Sequence, residues 1–179
     1  STKSGNVNLK KKYKKKLTII NEDQLIDFNK ISNLLELENA IAVMLENIKP
    51  TDYYIKEAHE FAMILPETYW GADSYNKWIR VGWALKHTHS KLFISWMMMS
   101  QKSKDFSYSE ISYYYDMWNN FPYKADGLTY RSILYWAKHD ADPNEYKNIR
   151  KETVEYFIGE SLKGGTEFDL ANVLLQLYK

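Results

Sequence analysis

The stretch Ser74-Tyr75-Asn76-Lys77-Trp78-Ile79-Arg80-Val81-Gly82-Trp83-Ala84-Leu85-Lys86 decides the fold class. At about 100° per residue, Trp78, Val81, Gly82 and Leu85 fall within about 100° of one another, which describes the apolar stripe of a helix with Ser74 as its cap. Glycine inside a helix costs roughly 1 kcal/mol relative to alanine, so Gly82 in the middle of the stripe predicts a close crossing by a second helix. A neighbouring side of the same helix carries Lys77, Arg80, Ala84 and His87 within about 80°. That side is basic.

The same period runs outward in both directions. Upstream, Leu34, Leu37, Ile41, Met44 or Leu45 and Ile48 recur at three and four residues until Pro50. Thr51 or Asp52 then caps a helix bearing Ile55, His59, Ala62 and Met63, which ends at Leu65-Pro66, and a tight antiparallel pair is the simplest arrangement of these two. Downstream, a polar turn His87-Thr88-His89 leads to a helix from Ser90 with Leu92, Phe93, Trp96, Met97 and Met99. Ser107 and Glu110 have capping-box spacing ahead of Ile111 and Trp118. A helix from Thr129 to His139 buries Ile133, Leu134 and Ala137, and Asp142-Pro143-Asn144-Glu145 starts the next. Gly164-Gly165 breaks that helix, and Thr166 with Asp169 opens a last one. No convincing alternating strand competes, so the expected fold is all-α: a compact multi-helix bundle with a flexible basic N-terminal arm.

Composition bounds the rest. The 179 residues, 45% hydrophobic and 16% aromatic, suffice for one ordinary domain and argue against wholesale disorder. With no cysteine, disulfides, thiolate metal sites and cysteine nucleophiles are excluded. The longest apolar run, Leu92 to Met99, is too short to span a bilayer, so no membrane role is expected. The formal charge of +1 conceals an asymmetry, because residues 1–16 hold seven lysines and no acid, which leaves residues 17–179 at −6. A nucleic-acid role for that part therefore needs a local basic face. The arm itself suits phosphate contact, nuclear targeting, a linker or a solvated tail.

Catalytic signatures are sparse. No glycine-rich loop precedes Lys and Ser or Thr, and the one Asp-x-Asp pair, Asp140-Ala141-Asp142, is accounted for by a helix exit and a helix cap rather than a two-metal site. His87 and His89 lack a third ligand in pattern, and His59 on an apolar face reads as a hydrogen-bonded core residue. No metal, no cofactor and no catalytic residue is expected in this chain. In the helix from Thr129, by contrast, Arg131, Tyr135 and Lys138 share one face, two cations around an aromatic that can meet a phosphate backbone and stack on a base. Lys91 extends the Lys77, Arg80 and His87 stripe if the following helix folds back. A merely solvated charged face is the competing reading of these positions. Of Tyr113, Tyr114 and Tyr115, at least one ring must be exposed.

Taken in order, Trp78 to Leu85, Phe93-Ile94-Ser95-Trp96 with Ser100-Gln101-Lys102-Ser103, Met117-Trp118-Asn119-Asn120-Phe121 and Thr129 to Lys138 resemble the primase C-terminal 2 domain over about residues 52 to 140. Gly165-Thr166-Glu167-Phe168-Asp169-Leu170-Ala171 through Lys179 is similar to the start of the region preceding the superfamily 3 helicase in poxvirus-type and giant-virus-type primase-helicases. With the arm and helices read above, the chain divides into a flexible basic arm at 1–16 and an N-terminal helical segment at 17–50, followed, as the resemblance implies, by the primase C-terminal 2-like domain at 51–140 and a helical linker toward the helicase at 141–179. It implies a non-catalytic accessory to primer synthesis that holds single-stranded DNA through Lys77, Arg80, Arg131 and Lys138, with the tryptophans as packing residues. The alternative is a structural or interaction segment that couples primase and helicase without touching DNA. Adjacent primase and helicase domains are the implied partners, nucleotide and magnesium belong to those domains, the chain alone is expected to be a monomer, and its setting is intracellular, in host cytoplasm or nucleus if viral. The amphipathic last helix ends at Lys179 as a segment of a longer protein would, a native terminus being the other reading.

Overall fold

The computed structural model describes residues 17–21, 24–123 and 127–163, and from Leu34 onward its helices follow the apolar period. Among the described residues are seven helices: α1 (Leu34–Leu45), α2 (Tyr53–Met63), α3 (Tyr75–Thr88), α4 (Phe93–Ser100), α5 (Ile111–Asn119), α6 (Tyr130–Asp140) and α7 (Pro143–Lys163). The expected all-α class holds. The basic arm at 1–16 and the last helix from Thr166 lie outside the described residues. None of the described helices is long and apolar enough to cross a membrane.

One expectation is corrected at the N-terminal end. Residues 17–50 do not form a purely helical segment, because β1 (Leu17–Asn21) and β2 (Gln24–Asp27) pair antiparallel, Leu17 opposite Asp27 and Ile19 opposite Leu25. The β-branched run Thr18-Ile19-Ile20 supplies the local reason. Phe28 then drops from the hairpin into the core, where its ring meets Phe93 at 4.8 Å and Tyr115 at 4.6 Å.

Helix starts use two devices. Asn33 accepts the Glu36 N–H at 2.9 Å to cap α1, and Thr129 and Ser132 form a reciprocal capping box on α6. By contrast, α2, α4 and α5 are each entered through a single 3-10 turn, at Pro50–Asp52, Ser90–Leu92 and Tyr108–Glu110. Neither Asp52 nor Ser107 makes a side-chain cap bond, and Ser107 Oγ lies instead 2.7 Å from Ser109 Oγ. Ser74 likewise donates to the Gly71 carbonyl at 2.6 Å instead of capping α3. Helix α1 stops at Leu45 rather than reaching Ile48, since Asn47 takes a left-handed φ of 55° before Pro50.

The core is organised around Trp96. Its indole is fully buried, stacks on Trp78 at 4.5 Å and donates its N–H to the Trp78 carbonyl at 3.2 Å. Trp78 in turn donates to Ser100 Oγ at 2.8 Å, and Ser100 donates to the Trp96 carbonyl at 2.6 Å, so α3 and α4 are laced antiparallel by a closed polar circuit inside an aromatic core. Gly82 makes this possible: a Cβ there would stand 2.8 Å from Trp96 Cε2 and 3.2 Å from Phe121 Cε2. The close crossing anticipated at Gly82 is therefore with α4. Helix α5 closes one edge through Trp118, and α7 covers α2 through Tyr53 stacked on Tyr156 at 4.1 Å and the Arg150–Glu57 pair at 3.1 Å.

His59 is 6% exposed on α2, and its Nδ1 lies 2.8 Å from Ser95 Oγ on α4, as expected of a hydrogen-bonded core histidine. Burial, and secondarily the Lys56 charge, lower its pKa from 6.5 to about 4. The unfolded chain binds the proton near pH 6.5 while the folded chain does not, so His59's contribution to stability is complete above that pH and is lost as pH falls toward 4. The loss approaches about 1.4 kcal/mol per pH unit in that window. Urea unfolding at pH 7 and pH 5 should show the chain losing stability that His59→Gln does not lose; equal pH slopes in the two would contradict a buried neutral imidazole. Separately, Gly82→Ala should lower stability by about 1–3 kcal/mol, because the atoms it meets are a rigid buried indole. Chemical denaturation measures this, and a neutral effect would mean that the crossing is looser than described.

Candidate nucleic-acid interface

Helix α3 lies between α4 and α6. Toward α6, His87 donates Nδ1–H to the Leu128 carbonyl at 3.0 Å, and the Arg80 guanidinium sits 5.4 Å from the centre of the Trp136 ring. Residue 87 thus meets the entrance of α6 and residue 80 its later half, which makes the two helices antiparallel and in direct contact. Fully buried Ala84, between Arg80 and His87 on the helix surface, permits this approach.

Arg80 belongs to a cluster. Tyr69, on the 3-10 turn Glu67–Tyr69 ahead of α3, places its ring 6.1 Å from Trp136, and the Lys77 ammonium lies 5.1 Å from the Tyr69 ring centre. The Tyr69 hydroxyl donates to Asp140 Oδ2 at the end of α6. Burial, followed by the bond and charge of Asp140, pushes the Tyr69 pKa upward, so the hydroxyl remains a donor at any physiological pH. Two exposed cations are in this way seated on an aromatic pair, buried Tyr69 and half-buried Trp136, that joins α3 to α6. Neither has a carboxylate within ion-pair distance among the described residues.

The remaining candidates lie around α6. Arg131, Tyr135 and Lys138 are exposed, with Tyr135 at 60% and its ring 4.2 Å from the His139 ring. A bond to Tyr130 raises the already high Arg131 pKa, so that charge is permanent. Trp136 lies five positions after Arg131, which places the Arg80 contact about 140° around α6 and about 7.5 Å along it. Tyr135, His139 and Ser132 fill the interval, and no acidic side chain of α6 does. Arg80 and Arg131 accordingly flank one ridge rather than facing each other across a groove. His87 is half-buried in its bond to Leu128. Lys91 sits in the 3-10 turn beyond the C-terminal end of α3, which alone puts residue 88 about 16 Å from residue 77. The chain does fold back after it, but α4 is almost wholly buried, so Lys91 does not continue the Lys77 and Arg80 stripe.

Residues 60–137 match the family described as Primase C terminal 2 (PriCT-2). Over this stretch the chain is similar to that family. The stretch runs from the middle of α2 into α6 and so contains the Trp78–Trp96 core and most of the ridge. Comparison with curated proteins and with solved structures gives no match. Within the matched stretch Tyr69 is the candidate that periodicity missed, because its contacts are with Trp136 and Asp140, far away in sequence. Asp140 and Asp142, the one Asp-x-Asp pair, are used separately: Asp140 receives Tyr69, and Asp142 accepts the N–H groups of Asn144 at 2.8 Å and Glu145 at 3.1 Å to cap α7.

Replacing Arg80 by alanine removes an exposed ring contact and should lower stability by only about 0.5–1 kcal/mol. A loss several times larger in thermal or urea unfolding would show that Arg80 is a core element instead of a surface cation.

Proposed function

We propose that this chain is a non-catalytic accessory region of a DNA primase-helicase that binds single-stranded template and supports primer initiation. The observation that carries the reading is the ridge of α6, where Arg131, Tyr135 and Lys138 stand exposed on one face and Arg80 and Lys77 are seated on Trp136 and Tyr69 at its flank. Cations without carboxylate partners suit phosphates, and the exposed Tyr135 ring offers a base a stacking surface. A strand would pass over α6 and not through a slot between helices. Phosphoryl transfer, with its nucleotide and magnesium, is assigned to a primase core elsewhere, and the neighbouring partners are primase and helicase domains.

A second reading follows from the same cluster. Arg80 and Lys77 also hold Tyr69 and Trp136 together, so the domain could couple primase and helicase structurally while DNA is held elsewhere.

Fluorescence anisotropy with a labelled single-stranded oligonucleotide separates the two. Arg131→Ala should weaken binding about uniformly across sequences and shrink the slope of log K against log salt by about 0.7. Tyr135→Ala should remove roughly 1–3 kcal/mol of binding free energy. If Arg80→Ala and Arg131→Ala leave affinity and salt slope unchanged, the structural reading stands and template binding by this face is refuted.

A further inference from the structure

The side of α3 turned away from Arg80 borders an open cleft of about 390 Å³. Tyr75 and Trp78 reach it from the first turns of α3, about 140–160° around the helix from Arg80. Trp70 forms another wall, and opposite stand Phe106 and Tyr114, whose rings stack at 5.9 Å with their planes 10° apart. Asp73 and Asp105 are its charged lining residues, and no lysine or arginine lines it. Neither carboxylate has an ion-pair partner among the described residues.

Aromatic walls alone would suit a base or any apolar group. Two unpaired carboxylates change that, because they repel a phosphate and gain nothing from a neutral ring. A third acid, Glu110, accepts the Tyr114 hydroxyl at 3.2 Å beside the cleft, and burial together with Glu110 and Asp105 pushes the Tyr114 pKa up to about 12. The charged lining of the cleft is wholly acidic. The fold already contains a small example of what such walls accept: the Lys102 ammonium sits 5.9 Å from the Trp70 ring centre while donating to the Met63 carbonyl at 2.6 Å. The volume lies near the lower end of ligand pockets, enough for one long side chain and not for a large cofactor.

We propose that this cleft receives an arginine side chain from a basic segment of a partner protein. The planar guanidinium stacks on the aromatic wall and pairs with Asp73 or Asp105, a combination that a lysine ammonium reproduces less well. The site is independent of template binding, since it occupies the opposite side of α3 from Arg80.

The test uses the full chain and a short peptide with blocked ends carrying two arginines between glycines, followed by the indole N–H signals of Trp70 and Trp78 in two-dimensional NMR. Expected are saturable shifts that weaken with salt, a loss of at least fivefold in affinity in Asp73→Asn/Asp105→Asn, and no change in Arg131→Ala. Asparagine tolerates the left-handed φ of 59° at residue 73, and an unchanged unfolding midpoint confirms that the double variant is folded. Weaker binding of the matching lysine peptide supports the assignment. Absence of saturable shifts, equal binding of a glutamate peptide, indifference to the double substitution, or tighter binding of a nucleoside monophosphate overturns it.

Discussion

The contact between the Trp96 indole and the bare backbone of Gly82 sets the spacing of α3 and α4, and the other helices are arranged by that spacing. A side chain at residue 82 would lift α4 from α3, open the Trp78, Ser100 and Trp96 hydrogen-bond circuit and leave indole N–H groups buried without partners. With α4 held this close on one side, the opposite side of α3 is free to meet α6 through Ala84, which places Arg80 on Trp136. The placement of Arg80 on Trp136 is therefore a consequence of a glycine on the far side of the same helix. Packing in this core is too dense to absorb a local change without moving the surface it supports.

Much of this was legible in the chain. Helical period alone located α1 to α7 and the residues that α3 buries, and it marked Gly82 as a crossing. The Asp142-Pro143 start signal worked because an Asp cap and a proline act locally, on backbone groups two and three residues away. Cap assignments at Asp52, Ser74 and Ser107 did not hold, since a 3-10 turn or a competing carbonyl can occupy those positions without leaving any mark in composition. The hairpin at residues 17–27 was passed over because Leu17 to Asp27 is short, and its β-branched content was outweighed by the periodic signal beyond it.

The candidate face was legible only by halves. Each helix announced its own cations, but the relation between Arg80 and Arg131 depends on which side of α6 packs against α3, and that is decided by buried Ile133 and Ala137 together with Ala84. Tyr69 and the cleft at Trp70, Phe106 and Tyr114 are assembled from residues tens of positions apart, so no window of sequence contains them. Long-range assembly, not weak propensity, is the reason they were missed.

The seating of cations on rings also bears on how an overall acidic surface, at −6 beyond residue 16, can carry a face for an anion. A free lysine or arginine loses rotamer entropy when it grips a phosphate, up to about 2 kcal/mol on common scales. Lys77 and Arg80, resting on Tyr69 and Trp136, have given up part of that freedom during folding. Their charge stays exposed because the ring faces, unlike a carboxylate, attract a cation without neutralising it. Asp140, the nearest acid of α6, is engaged by the Tyr69 hydroxyl, which directs that carboxylate toward the tyrosine. On the proposed reading, local order compensates for unfavourable net charge, and a short row of positioned cations serves where a broadly basic surface is lacking.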